Sequence, residues 1–207
     1  MSEQEAIKNI QEIKSILQQR TRFNALSGLS GMLAGSYALI GAFIAHSKIY
    51  TSKDIVYREI QTWYNSSDVL SLLGLASVIL ILAISTGIFF SAKKAKENNE
   101  NLWSPVTFKI LGNLFIFLMT AAIFILVLLD RGFITMISPT CLIFYGLSLI
   151  NISNLTLSEV KNLGLTVLIT GLISLFFPGN GLFFWAMGFG VLHIIYGFIM
   201  WYKYDKK

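Results

Sequence analysis

Residues 182–202 read LFFWAMGFGVLHIIYGFIMWY, 21 positions without a formal charge. At a rise of ~1.5 Å per residue, a helix of this length crosses a ~30 Å hydrocarbon core, so the stretch is expected to span a bilayer. His193 falls near its middle. Ala186, Gly190, His193 and Gly197 are spaced by four, three and four residues, which places them along one helical stripe with the imidazole between two glycines. Such a stripe admits a neighbouring backbone closely. A polar ring at mid-depth is costly without a partner, so His193 is expected to face protein or a small polar pocket, bonded to Tyr145, Asn113 or a backbone carbonyl.

Composition points the same way. Hydrophobic residues make up 55% of the chain and charged residues 13%, too little polar surface to cover a water-soluble globule of this length. The net charge of +5 is not a nucleic-acid signature, because the basic residues sit at the ends of apolar runs and form no basic module. No nucleic-acid partner is expected. The first 20 residues alternate charge with isoleucine and lack the regions of a signal peptide. Cys141 is the only cysteine and reads as a small apolar filler within a span.

The expected fold is all-α: an integral membrane bundle of six transmembrane helices, preceded by an amphipathic cytoplasmic helix. Residues 1–22 form the first unit, with Ala6, Ile10, Ile13 and Leu17 on one stripe. That stripe suits the membrane surface or a protein partner docking through residues 3–22. The second unit, 23–207, holds spans at about 23–45, 69–92, 105–129, 139–157, 158–177 and 182–202. In the first span Gly28, Gly31, Gly35, Ala38, Ala42 and Ala45 step by three and four, so one face is made of glycine and alanine. In lipid, where apolar burial does not drive helices together, such a face packs closely against another helix. Ser27, Ser30, Ala34 and Gly41 form a second small set, which makes this the expected central helix. The connection 46–68 carries Tyr50, Tyr57, Trp63 and Tyr64 and is expected to hold a short helix that lies on the outer surface or extends the first span.

Local signals mark the span ends. Ser67 or Asp68 is expected to cap the second span, and Lys93, Lys94 and Lys96 to stop it. Ser104-Pro105 and Ser138-Pro139 both read as a cap followed by proline in the first turn. Ser158-Glu159 is expected to open the fifth span, with the acid where the helix dipole favours it. Residues 178–181, Pro-Gly-Asn-Gly, form the plainest turn. Six spans put Lys8, Lys14, Arg20, Arg22, Lys93, Lys94, Lys96, Lys109, Lys161, Lys203, Lys206 and Lys207 on one side, against Lys48, Lys53, Arg58 and Arg131 on the other. Both termini are therefore expected in the cytoplasm.

The chemistry is sparse. No carboxylate lies deep in a span, and no nucleotide-binding, triad or zinc-protease pattern is present. His46 and His193 lie at different expected depths, so no shared metal site is expected, and no cofactor is predicted. A haem held by His193 alone stands as the alternative to that expectation. Three functional classes stand in order: a non-enzymatic sensing, scaffolding or accessory bundle; a small-molecule or lipid transporter or channel, with His193, Tyr196, Tyr145, Asn113 and Asn151 lining a midplane cavity; and a haem-containing or lipid-modifying membrane enzyme. The packing face under every reading is Gly28, Gly31, Gly35, Ala38 and Ala42, with Gly190 and Gly197.

Three stretches, RTRFNALSGLSGMLAG (20–35), SPTCLIFYGLSLINISNLTLSEVKNLGL (138–165) and GLFFWAMGFGVLHIIYGFIMWYKY (181–204), resemble small six-span inner-membrane proteins of the Bacteroidetes. The resemblance implies a bacterial inner membrane. It carries no activity or catalytic residue across.

Overall fold

The computed structural model describes residues 5, 7, 23, 25–47, 67–98 and 101–206. Apart from residues 5 and 7, the amphipathic stretch 3–22 lies outside these residues, as does most of the 46–68 connection. What is described is all-helical, without a strand. In chain order the helices are α1 (Gly28–Ala45), α2 (Ser67–Glu97), α3 (Pro105–Asp130), α4 (Ile137–Ile152), α5 (Ser158–Ser174) and α6 (Gly181–Asp205). Short 3₁₀ turns, Ile134–Met136 and Ser153–Leu155, flank α4.

Among the described residues, five stretches are long and apolar enough to cross a membrane: Gly28–Ala45, Leu70–Glu97, Pro105–Asp130, Ile134–Leu155 and Gly181–Asp205. The 17-residue α5 is shorter. Tight turns from Leu175 to Phe177 continue its apolar run, with the Phe177 N–H donating to the Ser174 carbonyl at 3.1 Å.

Several boundaries differ from the sequence expectation, each for a local reason. The first helix begins at Gly28, not at 23, because the chain enters it extended: the Phe23 N–H donates to the Leu155 carbonyl at 2.8 Å, and Ser27 has φ −101° and ψ 129°. The second helix runs through its lysines to Glu97, since cations in a last turn suit the negative end of the helix dipole. Ser104 caps α3 as expected, accepting the Thr107 N–H at 3.2 Å, with Pro105 in the first turn. The similar Ser138-Pro139 does not act this way. The fourth helix starts two residues earlier, at Ile137, and the Ser138 hydroxyl donates to the Gly181 carbonyl at 2.6 Å, tying α4 to the start of α6. Pro139 still fits, because a first-turn residue needs no N–H partner. At α5 the cap position belongs to Leu157 and Glu159 lies in the first turn.

The helices follow one another around an up-and-down ring. Helix α1 packs on α2 and α6, α4 on α3 and α5, and α6 closes against α5 and α4. The ring is open at one place. Consecutive helices α2 and α3 pack on α1 and α4 respectively and form no extended interface with each other among the described residues. No residue in the most apolar stretch of α2 is buried.

Two glycine seams hold the closed part. Between α1 and α6, a Cβ added at Gly35 would stand 2.6 Å from the Gly190 carbonyl oxygen, and one at Gly197 2.6 Å from the Met32 nitrogen. The same holds at Gly31, 3.3 Å from the Gly197 Cα, so backbones touch along the seam. Gly28, Gly35, Ala38, Ala42, Gly190 and Gly197 are all buried, and Gly31 partly so. Gly41 turns the other way, toward Ile79 of α2, which places α1 between two helices. The second seam joins α4 and α5: a Cβ at Gly146 would lie 2.8 Å from the Gly164 carbonyl oxygen, and one at Gly171 3.0 Å from the Ile143 nitrogen. Without a hydrophobic driving force between helices in lipid, this backbone proximity supplies the dispersion contacts that hold helices together. Leu142, Leu149, Val160, Leu163, Val167 and Met200 fill the space where the two seams meet.

Candidate functional site

The polar centre of the bundle is Tyr145 on α4 and His193 on α6. The Tyr145 hydroxyl lies 2.9 Å from His193 Nε2, and His193 Nδ1 lies 2.9 Å from the Gly188 carbonyl oxygen. A carbonyl only accepts, so Nδ1 donates to it, and in the neutral ring Nε2 is left to accept from the tyrosine hydroxyl. Both nitrogens are thereby engaged. The two rings stack at 24°, with centroids 5.5 Å apart, and Phe189 lies against both, at 5.1 Å from Tyr145 and 6.0 Å from His193. Trp185 extends the row at 5.2 Å from Phe189.

The backbone of α6 explains how the imidazole reaches α4. Residues Ala186–Val191 form a π-helical segment between the α-helical turns Gly181–Trp185 and Leu192–Met200. Widening the helix shifts the register of everything after it. The stripe expected at Ala186, Gly190, His193 and Gly197 is therefore divided. Gly190 and Gly197 face α1, as their neighbours Gly35 and Met32 show, while the His193 side chain turns to Tyr145 on α4.

Of the five residues expected around a polar cavity, the structure brings two together. Tyr196 packs against the apolar core cluster. Asn113 is half-buried on α3, Asn151 is exposed at the end of α4, and neither hydrogen-bonds to His193.

A second polar constellation, which the sequence did not announce, lies at the end of the bundle where α1 begins and α6 ends. The last turn of α6, Trp201–Asp205, is again π-helical. Its Asp205 accepts the Gly28 N–H at 2.8 Å and the Ser27 hydroxyl at 3.2 Å, so it caps α1 from the far end of the chain. The other carboxylate oxygen pairs with Lys94 of α2, whose ammonium also donates to the Leu26 carbonyl at 2.8 Å. Only 14% of each of these two side chains is exposed. On the other side, Glu159 in the first turn of α5 accepts from Lys203 at 2.6 Å and from the Tyr204 hydroxyl at 2.9 Å. Three successive residues, Lys203, Tyr204 and Asp205, thus join the ends of α1, α2 and α5. No local pattern could have shown this, since the partners lie 44 to 178 positions apart.

Among the described residues, every buried side-chain nitrogen or oxygen has a hydrogen-bond partner. Comparison of the chain with family models, with curated proteins and with solved structures returns no match.

Proposed function

We propose that the chain is a six-span protein of a bacterial inner membrane, with both termini in the cytoplasm, that acts as a non-enzymatic accessory or scaffolding bundle and engages a protein partner through residues 3–22. The observation that carries this reading is the closure of the polar centre. Among the described residues His193 is the one imidazole within a long apolar helix away from its ends, and both its ring nitrogens are committed, to Tyr145 and to Gly188. An axial haem ligand would have to give up the Tyr145 bond, and a conduit would need polar groups facing an open path. The glycine seams instead bring backbones together on both sides of the pair.

The orientation rests on charge. Lys93, Lys94, Lys96, Lys109, Lys161, Lys203 and Lys206 lie at the end where α1, α3 and α5 begin and α2 and α6 finish, in keeping with the rule that short cytoplasmic connections are basic. Helix α5 crosses with the others on this reading. Its 17 residues and the turns to Phe177 together cover about 30 Å at ~1.5 Å per residue.

Native mass spectrometry of the protein released from its own membrane in mild detergent tests the proposal. The full chain is expected to carry a polypeptide in fixed stoichiometry, and a chain lacking residues 2–22 to lose it. A full chain that carries a stoichiometric small molecule or a haem, and no polypeptide, would refute the accessory reading.

A further inference from the structure

The ring of helices is open between α2 and α3, and among the described residues α2 packs along its length on α1 and reaches α6 at one end, through Lys94 and Asp205. Along its middle the contact is apolar, with Ile79 against Gly41, and the most apolar stretch of the helix holds no buried residue. In lipid such packing acts through van der Waals contact, without the directional preference of a polar bond. At one end this changes. Lys94 reaches inward from the third-last residue before Glu97 and bonds both the Leu26 carbonyl and the Asp205 carboxylate. Neighbouring Lys93 and Lys96 are exposed and make no such bond.

We propose that the Lys94–Asp205 contact is a conformational latch that sets the position of α2 and with it the width of the open seam between α2 and α3 at the lysine-rich end. Four features support it. The pair is mostly shielded from water, so its attraction is less screened than that of a surface pair. Asp205 is anchored independently of Lys94 through Gly28 and Ser27, so it stays in place whether or not α2 is docked. The turn that carries Asp205 is fixed on its other side by the Glu159 contacts, giving the latch a rigid seat. Finally, Ala25 is fully buried and Leu26 accepts from Lys94, so the entry of the chain into α1 is part of the same joint. The bistable element is α2, and the bias is one ion pair with one capped helix end.

Nitroxide distance measurements test it on the full chain, in a Cys141→Ser background and in lipid nanodiscs of phosphatidylcholine and phosphatidylglycerol. One label pair at Ile88 and Leu111, both exposed, reads the seam near the latch; a second at Leu73 and Val127, also exposed, reads the opposite end. Asp205→Asn keeps an oxygen for the Gly28 N–H but removes the charge that holds Lys94, and Lys94→Met removes the cation while leaving the α1 cap intact. In both variants the Ile88–Leu111 distance distribution is expected to shift and broaden beyond the wild-type width, while the Leu73–Val127 distribution stays as in wild type. Unchanged Ile88–Leu111 distances in both variants would overturn the latch. So would an equal change at both ends, which would make the pair a general brace of the bundle.

Discussion

Tyr145 and His193 meet across α4 and α6 with hydroxyl oxygen and Nε2 2.9 Å apart, and the imidazole completes its bonding on the Gly188 carbonyl of its own helix. The pair joins the two halves of the closed part of the ring, since α4 belongs to the Gly146–Gly164 seam and α6 to the Gly35–Gly190 seam. Breaking it leaves a polar atom without a partner where water has poor access.

The first prediction concerns that pair. His193→Leu strands the Tyr145 hydroxyl and the Gly188 carbonyl and should cost about 1 to 3 kcal/mol of stability. His193→Gln keeps one donor and one acceptor and should cost less. Tyr145→Phe should fall near the His193→Leu value, and the double variant should cost less than the sum of the singles, because each already removes the shared bond. Thermal unfolding in detergent with circular dichroism measures all four. Equal losses for Leu and Gln at 193 would place the energetic role of this residue in its size.

A second prediction separates glycines that touch a backbone from glycines that touch nothing. Gly35→Ala and Gly146→Ala each put a carbon within 3 Å of backbone atoms that cannot rotate away, and should destabilise by about 1 to 3 kcal/mol. Gly87→Ala on α2 and Gly112→Ala on α3 meet open space. These two should be neutral or stabilising by up to ~1 kcal/mol, since alanine is the better helix former. The same unfolding assay ranks the four, and a costly Gly87→Ala would show that α2 has a neighbour along that face.

The cap of α3 provides a third. Ser104→Ala removes the acceptor for the Thr107 N–H and should cost about 1 kcal/mol. Ser138→Ala, although set in the same Ser-Pro pattern, removes no cap and should instead loosen the start of α6, because its hydroxyl serves the Gly181 carbonyl. Amide hydrogen exchange distinguishes them: faster exchange at the start of α3 for the first variant, and around 181–185 for the second.

Much of the fold was legible in the sequence because its periodic signals are strong. The α1 face at Gly28, Gly31 and Gly35 packs as its spacing implied, and the opposing Gly190 and Gly197 were visible as part of the α6 stripe. The α4–α5 seam was harder to see. Gly146 stands alone in α4, and its partner Gly164 becomes meaningful only once the two helices are known to be adjacent. The expected polar cluster separated for a backbone reason: the π-helical segment of α6 turned the His193 side chain to Tyr145, and nothing in Ala-Met-Gly-Phe-Gly-Val marks such a widening. Lys94 reads as a stop signal, and nothing in the sequence marks Asp205 as its partner. Their pairing depends on the extended entry of the chain at Ser27, which the sequence reading had placed inside a helix.

On the proposed reading the chain crosses the membrane six times with the joint at Asp205 in the cytoplasm, and the sidedness of α5 decides between this and a five-span arrangement. Helix α5 is the expected span that is not among the five long apolar stretches, and without its crossing the end of α4 and the start of α6 would lie on the same side. Single cysteines placed at Ser52, Gly132, Asn154 and Gly179 in a Cys141→Ser chain can be challenged with a membrane-impermeant maleimide in intact cells, with a reporter fused after Lys207 read in parallel. The account predicts labelling from outside at 52, 132 and 179, protection at 154, and a cytoplasmic reporter signal at the C-terminus. Equal labelling at 154 and 179, or a reporter signal from outside, would contradict it.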